Sequence, residues 1–151
     1  MELFRVTKKR YQNDLSGYGS YLSGGRWNSL GRSAFYTASS RSLAILEALV
    51  HITTSSPNQE DFVIMVIYVP DDFSFQVVQK EDLSQSWKEE KEETVAIGNK
   101  WIEANKDLVL RAPSIIVKNE FNYIFNTQHL DYQQVKLIDL EPFEFDIRLL
   151  K

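Results

Sequence analysis

The stretch Phe62-Val63-Ile64-Met65-Val66-Ile67-Tyr68-Val69 is an unbroken apolar run that ends at Pro70. An apolar run of this length is typical of a strand that lies inside a sheet and is buried on both faces. We therefore predict a central strand here. Shorter strand-like runs occur on both sides of it along the chain, at residues 3–6, 33–37, 73–78, 108–111, 114–117, 135–140 and 143–147.

Two segments have the pattern of helices, residues 41–52 and residues 94–105. Ser39 and Ser40 precede the first of them, and either serine can cap a helix N-terminus. Strands outnumber helices and do not alternate regularly with them, which favours an α+β fold over a doubly wound one. We expect a single compact domain over residues 1–151, with a mixed sheet and flanking helices.

Two polar segments connect these elements. Residues 11–21 are rich in glycine, serine and tyrosine, and this content is typical of a loop. The charged run at residues 88–93 is typical of a solvated surface.

The composition excludes several classes of protein. A net charge of −4 and a pI near 5.2 argue against general nucleic-acid binding, which needs a basic surface. The absence of cysteine rules out a disulfide framework and a zinc–thiolate site, and two histidines are too few for a histidine-rich metal site. No run approaches the roughly 18 apolar residues of a membrane span, and the N-terminus lacks the apolar core of a signal peptide. We expect a cytoplasmic protein that holds no metal and enters no membrane.

An arginine lies between glycines and a tryptophan in the stretch Gly24-Gly25-Arg26-Trp27-Asn28-Ser29-Leu30-Gly31. Glycine allows positive φ and close approach to a ligand, and the planar guanidinium suits a phosphate or carboxylate. One interpretation is therefore an anion-binding loop. The alternative is a tight hairpin in which Arg26 stacks on Trp27 for structural reasons.

One carboxylate interrupts the apolar helix Leu43-Ala44-Ile45-Leu46-Glu47-Ala48-Leu49-Val50. A helix that is apolar nearly all round is expected to be buried, and Glu47 shares a face with Leu43 and Val50. The carboxylate would then point inward, where it needs a cation, hydrogen-bond donors or a wet cavity. In the alternative, Glu47 lies on a narrow solvent-facing stripe with Arg41 and Thr54.

A third polar residue, Ser114, follows Ala112-Pro113, where proline removes a strand donor and predicts a bulge, edge or bend. The order of arginine, glutamate and serine resembles that of the RES domain family, the toxin half of RES-Xre toxin–antitoxin pairs. The matching residues are Gly24-Gly25-Arg26-Trp27-Asn28, Gly31, Tyr36, Ala44, Glu47, Arg111-Ala112-Pro113-Ser114, Glu120-Phe121-Asn122, Asn126, His129 and Phe143-Glu144-Phe145-Asp146-Ile147-Arg148-Leu149. The chain departs from the family at Ala112, where valine is usual, and at Thr127 and Leu130, where proline is usual.

This resemblance implies a strongly bent sheet similar to that of ADP-ribosyltransferases and an enzyme that cleaves the nicotinamide–ribose bond of NAD. No Gly-x-Gly-x-x-Gly motif follows a predicted strand, so NAD would be a substrate and no separate cofactor is expected. Transfer of ADP-ribose to water or phosphate would make the chain an NAD glycohydrolase or phosphorylase. The alternatives are transfer to a protein, or a module without turnover that binds NAD, ADP-ribose or an antitoxin.

The resemblance also implies a partner, an antitoxin with a Xre-type helix-turn-helix that covers the active site in a hetero-oligomer. The antitoxin would make the DNA contacts, because nothing in this acidic chain suggests that it binds DNA itself.

Three residues would carry the chemistry. Cleavage of this glycosidic bond builds positive charge on the ribose, so the Glu47 carboxylate would stabilise the transition state and bind a ribose hydroxyl. Arg26 would pair with the diphosphate, because its charged fork can bind two oxygens at once. Ser114 would hold a ribose or phosphate oxygen.

Three further residues match family positions and are expected to bind NAD. The ring of Tyr36 would stack on nicotinamide, Arg5 would bind a second phosphate, and Asn122 would contribute hydrogen bonds. The roles of three more polar or aromatic residues stay open at this point: His129, Tyr18 and Tyr21.

Overall fold

The computed structural model describes residues 1–52 and 61–150 of the chain. Its helices are α1 (Tyr18–Ser23), α2 (Arg41–Leu49) and α3 (Lys91–Ala104). Its strands are β1 (Glu2–Lys8), β2 (Ala34–Ala38), β3 (Phe62–Tyr68), β4 (Phe75–Val77), β5 (Val109–Pro113), β6 (Phe121–Asn126) and β7 (Lys136–Phe143). The strands form one sheet in the order β4-β5-β6-β2-β1-β3-β7, in which β4 and β5 run parallel and the other neighbours antiparallel. The mixed sheet confirms the predicted α+β fold.

The apolar run that begins at Phe62 forms β3, which is paired with β1 on one side and β7 on the other. Its five central residues, Val63 to Ile67, are buried. The prediction of an internal strand buried on both faces is therefore confirmed.

Helix α2 begins at Arg41 because the Ser40 hydroxyl accepts a hydrogen bond from the backbone N–H of Leu43, at 3.1 Å. The predicted serine cap is confirmed. Complete burial was wrong: only Leu43 and Ala44 are buried, and Val50, just after the helix, is 62% exposed. The helix packs on β1 and β2 through Leu43 and Ala44, and its residues from Ile45 to Leu49 are half-buried.

Both long helices lie on the same face of the sheet. Residues opposed in an antiparallel pair point to the same side, and Asn122 opposes Ala38 on β2 and Ala112 on β5. Ala38 packs in the core under α2, and Ala112 packs in a core that includes Trp101 of α3. We call this the helix face; Asn122 lies on it, between the two cores.

Helix α3 contacts the glycine-rich loop through a close backbone approach of Gly98 to Trp27. A Cβ at this position would lie 1.6 Å from the carbonyl oxygen of Trp27, so only glycine fits. The indole of Trp27 is 2% exposed and packs in the same core as Trp101. Helix α3 therefore packs directly against the glycine-rich loop, through Gly98 and Trp101. Within the described ranges, every helix is too short or too polar to cross a membrane.

Several predicted boundaries were wrong. Residues 114–117 form a bend rather than a strand, because the Ser114 hydroxyl accepts hydrogen bonds from two backbone N–H groups of this segment. The predicted loop at residues 11–21 contains the start of α1. The strand predicted at residues 73–78 is reduced to the three residues of β4.

The end of the chain also differs from the prediction. A single strand, β7, replaces the two predicted strands, and residues 147–150 form a 3-10 turn. The apolar residues that predicted a strand at 143–147 pack as aromatic pairs instead. The Phe145 ring contacts Phe62 and Phe143 edge to face, at centroid distances of 5.1 and 4.8 Å.

Candidate active site

The Glu47 side chain points toward the sheet and contacts two hydrogen-bond donors. Its Oε1 accepts from the Ser114 hydroxyl at 3.0 Å and from the Asn122 side-chain amide at 2.7 Å. Arg41 pairs instead with Glu141, and Thr54 lies outside the described residues. The second oxygen, Oε2, has no hydrogen-bond partner in the parts of the chain that the structure describes. We call Glu47, Ser114 and Asn122 the Glu47 group.

The Ser114 hydroxyl has a fixed orientation. Its oxygen accepts from the backbone N–H groups of Ile116 and Val117, both at 3.1 Å, so its proton is directed to Glu47. The backbone N–H of Ser114 donates to the carbonyl of Glu120, which ties the start of the turn to the start of β6. With its exposed fraction at 4%, Ser114 is placed to hold the carboxylate rather than to project into solvent.

Residues 24–31, which we call the Arg26 loop, are closed by their own hydrogen bonds. The backbone N–H of Gly25 donates to the carbonyl of Asn28 at 2.9 Å. The Tyr36 phenol accepts from the N–H of Trp27 at 3.0 Å and donates to Oδ1 of Asn28 at 2.5 Å. A Cβ at Gly25 would lie 2.4 Å from the Tyr36 hydroxyl, so this closure requires glycine.

The phenol of Tyr36 stays protonated and can therefore act as this donor. Burial raises the pKa of Tyr36 well above its ordinary value. The hydrogen bond from Trp27 and the positive charges of Arg5 and Arg26 lower it, but they do not offset the burial.

Arg26 is half-buried, and its side chain donates one long hydrogen bond, 3.5 Å from Nη1 to the carbonyl oxygen of Trp87. Within the described part of the chain it makes no stacking contact with Trp27, whose ring packs against Trp87 at a centroid distance of 6.4 Å. The Arg26 loop is tight, as in the alternative interpretation of a hairpin, but the stacking of Arg26 on Trp27 that this interpretation included is not observed among the described residues. A hydrogen bond of this length is weak, so the guanidinium can exchange it for a ligand.

The Arg26 loop and the Glu47 group are attached to neighbouring positions on the helix face. Tyr36 opposes Ile124, and Ala38, two residues further along β2, opposes Asn122. Tyr36 and Asn122 are therefore diagonal neighbours, whose Cα atoms are typically about 7–8 Å apart. The fold therefore places Tyr36, which binds the Arg26 loop, next to Asn122, which binds Glu47, although the two residues come from separate segments.

A groove of about 270 Å³ adjoins the Glu47 group at Ser114, but the described residues that line it do not include Arg26, Tyr36, Glu47 or Asn122. Trp87, whose carbonyl accepts from Arg26, and Ser114, whose hydroxyl donates to Glu47, both line it. Basic side chains also line it: Lys80, Lys88, Arg111 and Lys118. We call it the cationic groove.

Arg5 does not lie with the Glu47 group. It opposes Met65, which belongs to the core on the other face of the sheet, and its guanidinium lies 5.2 Å from the ring centroid of Phe35. Its Nη1 donates to the backbone carbonyl of Tyr36 at 3.0 Å. Burial lowers the pKa of Arg5, and the nearby Asp14 opposes this effect. Arg5 therefore contacts β2 at Phe35 and Tyr36 from the face of the sheet opposite Glu47.

The remaining candidates have local contacts. His129 Nδ1 accepts from the backbone N–H of Asp131 at 3.1 Å, as a cap of the following 3-10 turn. Tyr18 and Tyr21 stack on each other with ring centroids 6.0 Å apart, and both are exposed. No group of three or more histidine or acidic residues in the described ranges could hold a metal ion.

Two residues of the site were missed by the sequence reasoning. Asn28 is 1% exposed and joins Tyr36 to the loop backbone. Its position in the stretch Gly24-Gly25-Arg26-Trp27-Asn28 could have indicated a role in the site. Trp87 lies 61 positions from Arg26 beside a charged run, and no pattern in the sequence connects the two.

Comparison with known proteins gives a consistent set of similarities. The model of the RES domain family matches residues 2–146. The protein Toxin Res of Yersinia enterocolitica is 38% identical over 154 residues, which cover 99% of each chain. The Prs ADP-ribosylating toxin of Sphingobium sp. is 34% identical over 143 residues, with 92% of this chain and 88% of that one covered.

A solved structure, the MbcT–MbcA toxin–antitoxin complex of M. tuberculosis, contains a chain of similar fold. The TM-score is 0.78, and the match covers 95% of this chain and 84% of that one. At 17% sequence identity this similarity concerns the fold alone.

Proposed function

Because the chain belongs to the RES domain family, we propose that it is the toxin of a toxin–antitoxin pair and that it cleaves the nicotinamide–ribose bond of NAD. Relatives named Toxin Res support the first part. The second part depends on one observation above all: a half-buried carboxylate, Glu47, is held by two donors beside an arginine loop on one face of the sheet.

The proposed reaction breaks the bond between C1′ of the ribose and the pyridinium nitrogen, and the electron pair leaves with nicotinamide. Positive charge then develops on the ribose. The Glu47 carboxylate stabilises this charge, and Oε2 accepts a hydrogen bond from a ribose hydroxyl. Ser114 and Asn122 hold Oε1, so the carboxylate needs little reorganisation when the charge appears.

Arg26 binds the diphosphate of NAD in this proposal. Its one hydrogen bond to the protein is long, so replacing it with a bidentate, charge-assisted contact to phosphate is favourable. The half-buried ring of Tyr36, beside Asn122, offers a surface on which nicotinamide can stack.

Water or phosphate is the proposed acceptor of ADP-ribose. The second candidate is a protein acceptor, and the similarity to a Prs ADP-ribosylating toxin at 34% identity favours it specifically. A third possibility, binding without turnover, predicts tight association with NAD and no release of nicotinamide.

The purified chain tests these proposals directly. Incubation with NAD in phosphate buffer, followed by chromatography, is expected to yield nicotinamide with ADP-ribose or ADP-ribose 1″-phosphate. Labelled NAD in a cell lysate would give a discrete labelled protein band if a protein is the acceptor. Calorimetry that shows NAD binding while no nicotinamide appears would identify a binding module and contradict the proposed enzyme.

An antitoxin with a Xre-type helix-turn-helix is the proposed partner, and it would cover the active site in a hetero-oligomer. The M. tuberculosis neighbour was solved as a toxin–antitoxin complex, and the exposed Val50 lies at the end of the helix that carries Glu47. Co-expression with the adjacent reading frame should give a stable complex without NAD turnover. A complex that retains full turnover would contradict the covering of the site.

A further inference from the structure

The buried side of helix α3 faces the Arg26 loop. The three buried residues of this helix are Thr94, Gly98 and Trp101, and their spacing of four and three positions places them on one side of it. Gly98 lies against the Trp27 carbonyl, and Trp101 packs in the same core as the Trp27 indole. Thr94 differs from both, because it carries a hydroxyl and its exposed fraction is 0%. A hydroxyl buried this completely needs a hydrogen-bond partner.

The Thr94 hydroxyl finds that partner outside its own helix. A threonine in a helix commonly donates to the carbonyl three or four residues earlier, and here Oγ1 lies 3.0 Å from the carbonyl oxygen of Lys91. The carbonyl oxygen of Arg26 is closer, at 2.6 Å. Because a hydroxyl has one proton, the shorter contact assigns that proton to Arg26.

The peptide unit that follows Arg26 is therefore held at both ends. Its carbonyl accepts from Thr94, and its N–H, which belongs to Trp27, donates to the Tyr36 hydroxyl at 3.0 Å. Rotation of this peptide unit would break both hydrogen bonds. The Arg26 side chain, in contrast, donates one hydrogen bond of 3.5 Å. The direction in which the guanidinium leaves the loop is thus set by the backbone rather than by the contacts of the side chain.

Asn99, the neighbour of Gly98, holds the Arg26 loop at a second point. Its Oδ1 accepts from the backbone N–H of Ser29 at 3.0 Å, and its Nδ2 donates to the Ser29 hydroxyl, also at 3.0 Å. Helix α3 therefore binds the loop backbone before Trp27, through Thr94, and after it, through Asn99.

We propose that Thr94 and Asn99 are positioning residues for Arg26. By fixing the backbone of the loop, they orient the guanidinium before its ligand arrives, and each acts only through Arg26. The proposal rests on the proposed function, in which that ligand is NAD. Orientation in advance lowers the entropy lost on binding, and a displacement of about 1 Å is enough to weaken a charged contact strongly.

Thr94→Val tests this role, because it removes the hydroxyl and nearly keeps the shape of the side chain. With Arg26 less well placed, the KM for NAD should rise about tenfold while kcat stays nearly unchanged. Thr94→Ser restores the hydroxyl and should restore the KM. Thr37→Val is the matched control: the buried Thr37 hydroxyl donates to the Tyr123 carbonyl at 2.7 Å, within the core on the other face of the sheet. The control should lose stability and keep its KM.

The KM distinguishes positioning from a purely structural role. A variant that only unfolds more easily contains fewer active molecules, so its apparent kcat falls and its KM does not change. In Arg26→Gln no guanidinium is left to orient, so the addition of Thr94→Val should raise the KM no further. An unchanged KM in Thr94→Val, or a full further rise in the double variant, overturns the proposal. If Thr94→Val does not fold, as judged by urea unfolding, Asn99→Ala replaces it with the same expected and contrary outcomes.

Amide hydrogen exchange without NAD separates this proposal from the proposed function. Exchange at the N–H groups of Gly25 and Trp27 should be about tenfold faster in Thr94→Val than in the unchanged chain or in Thr37→Val. Equal exchange rates overturn the fixing of the loop, whether or not NAD is cleaved. Faster exchange in a chain that neither binds NAD nor releases nicotinamide keeps Thr94 as a positioning residue for Arg26 and contradicts NAD as the ligand.

Discussion

The Arg26 loop and the Glu47 group lie on the same face of the sheet, yet they are built in opposite ways. The loop is closed within a short segment, by hydrogen bonds among Gly25, Trp27, Asn28 and Tyr36. Glu47 instead meets its partners, Ser114 and Asn122, across 67 and 75 positions of sequence. The first is a local structure that the core supports, and the second exists only once the sheet and α2 have assembled.

Because the two regions are built differently, substitutions in them should have different effects. Substitutions of the residues that close the Arg26 loop should cost mainly stability, because their hydrogen bonds are interlocked, whereas Arg26 takes no part in this closure and its substitution should cost mainly binding. Substitutions in the Glu47 group should cost mainly activity, because the carboxylate is half-buried and one of its oxygens is not used by the fold. Four variants test this separation.

The largest effect is expected for Glu47→Gln. Glutamine can still accept from Ser114 and Asn122, so the fold should persist, but the negative charge opposite the ribose is lost. Nicotinamide release should fall by about 10²–10³-fold or more, the range found when an electrostatic stabiliser is removed from an active site. Glu141→Gln, in an exposed pair with Arg41, is the matched control and should keep full activity. Equal turnover of both variants would remove Glu47 from the chemistry.

Arg26→Gln should act on binding rather than on the fold. It removes a charge-assisted contact to the diphosphate, about 1.5–3 kcal/mol, so the KM for NAD should rise about tenfold or more. Thermal unfolding should change little, because the one hydrogen bond lost is 3.5 Å long. Arg32→Gln, which breaks an exposed pair with Glu103, serves as the control in the same segment. An unchanged KM would place the diphosphate elsewhere.

Gly25→Ala should destabilise the Arg26 loop without touching the Glu47 group. The added Cβ would lie 2.4 Å from the Tyr36 hydroxyl and 2.7 Å from Oδ1 of Asn28. Overpacking of this kind typically costs about 1–3 kcal/mol, which urea unfolding can measure. Gly19→Ala is the control, because a Cβ at Gly19 in α1 meets no atom within 4 Å. Equal stability of the two variants would show that the loop relaxes easily.

The same contrast explains what the sequence could predict. The apolar run of β3 and the serine cap of α2 depend on neighbouring residues, and both predictions were confirmed. The strand predicted at residues 114–117 was wrong, because side-chain hydrogen bonds from Ser114 override the strand propensity of Ile115, Ile116 and Val117. Burial of α2 was wrong for a similar reason: an apolar pattern does not show whether another part of the chain covers the helix.

The site shows the same limit. The glycines, Arg26 and Tyr36 form a motif that can be seen within one segment. Ser114 and Asn122 could be connected with Glu47 only through a family resemblance, since no periodicity relates positions 67 and 75 apart. The buried Arg111 Nε, which has no hydrogen-bond partner among the described residues, could not be predicted, because this depends on which rings and oxygens the folded sheet places around it.

The smallest effect is expected for Ser114→Ala, and it distinguishes two roles of this hydroxyl. If Ser114 only positions Glu47, kcat should fall about tenfold while the KM for NAD stays unchanged, because one hydrogen bond to a charged group is lost. If the hydroxyl binds NAD, the KM should rise instead. Asn122→Ala and the double variant complete a cycle: both donors hold the same oxygen, Oε1, so their effects on kcat should not be additive. Strict additivity would indicate that each donor acts on a separate part of the substrate.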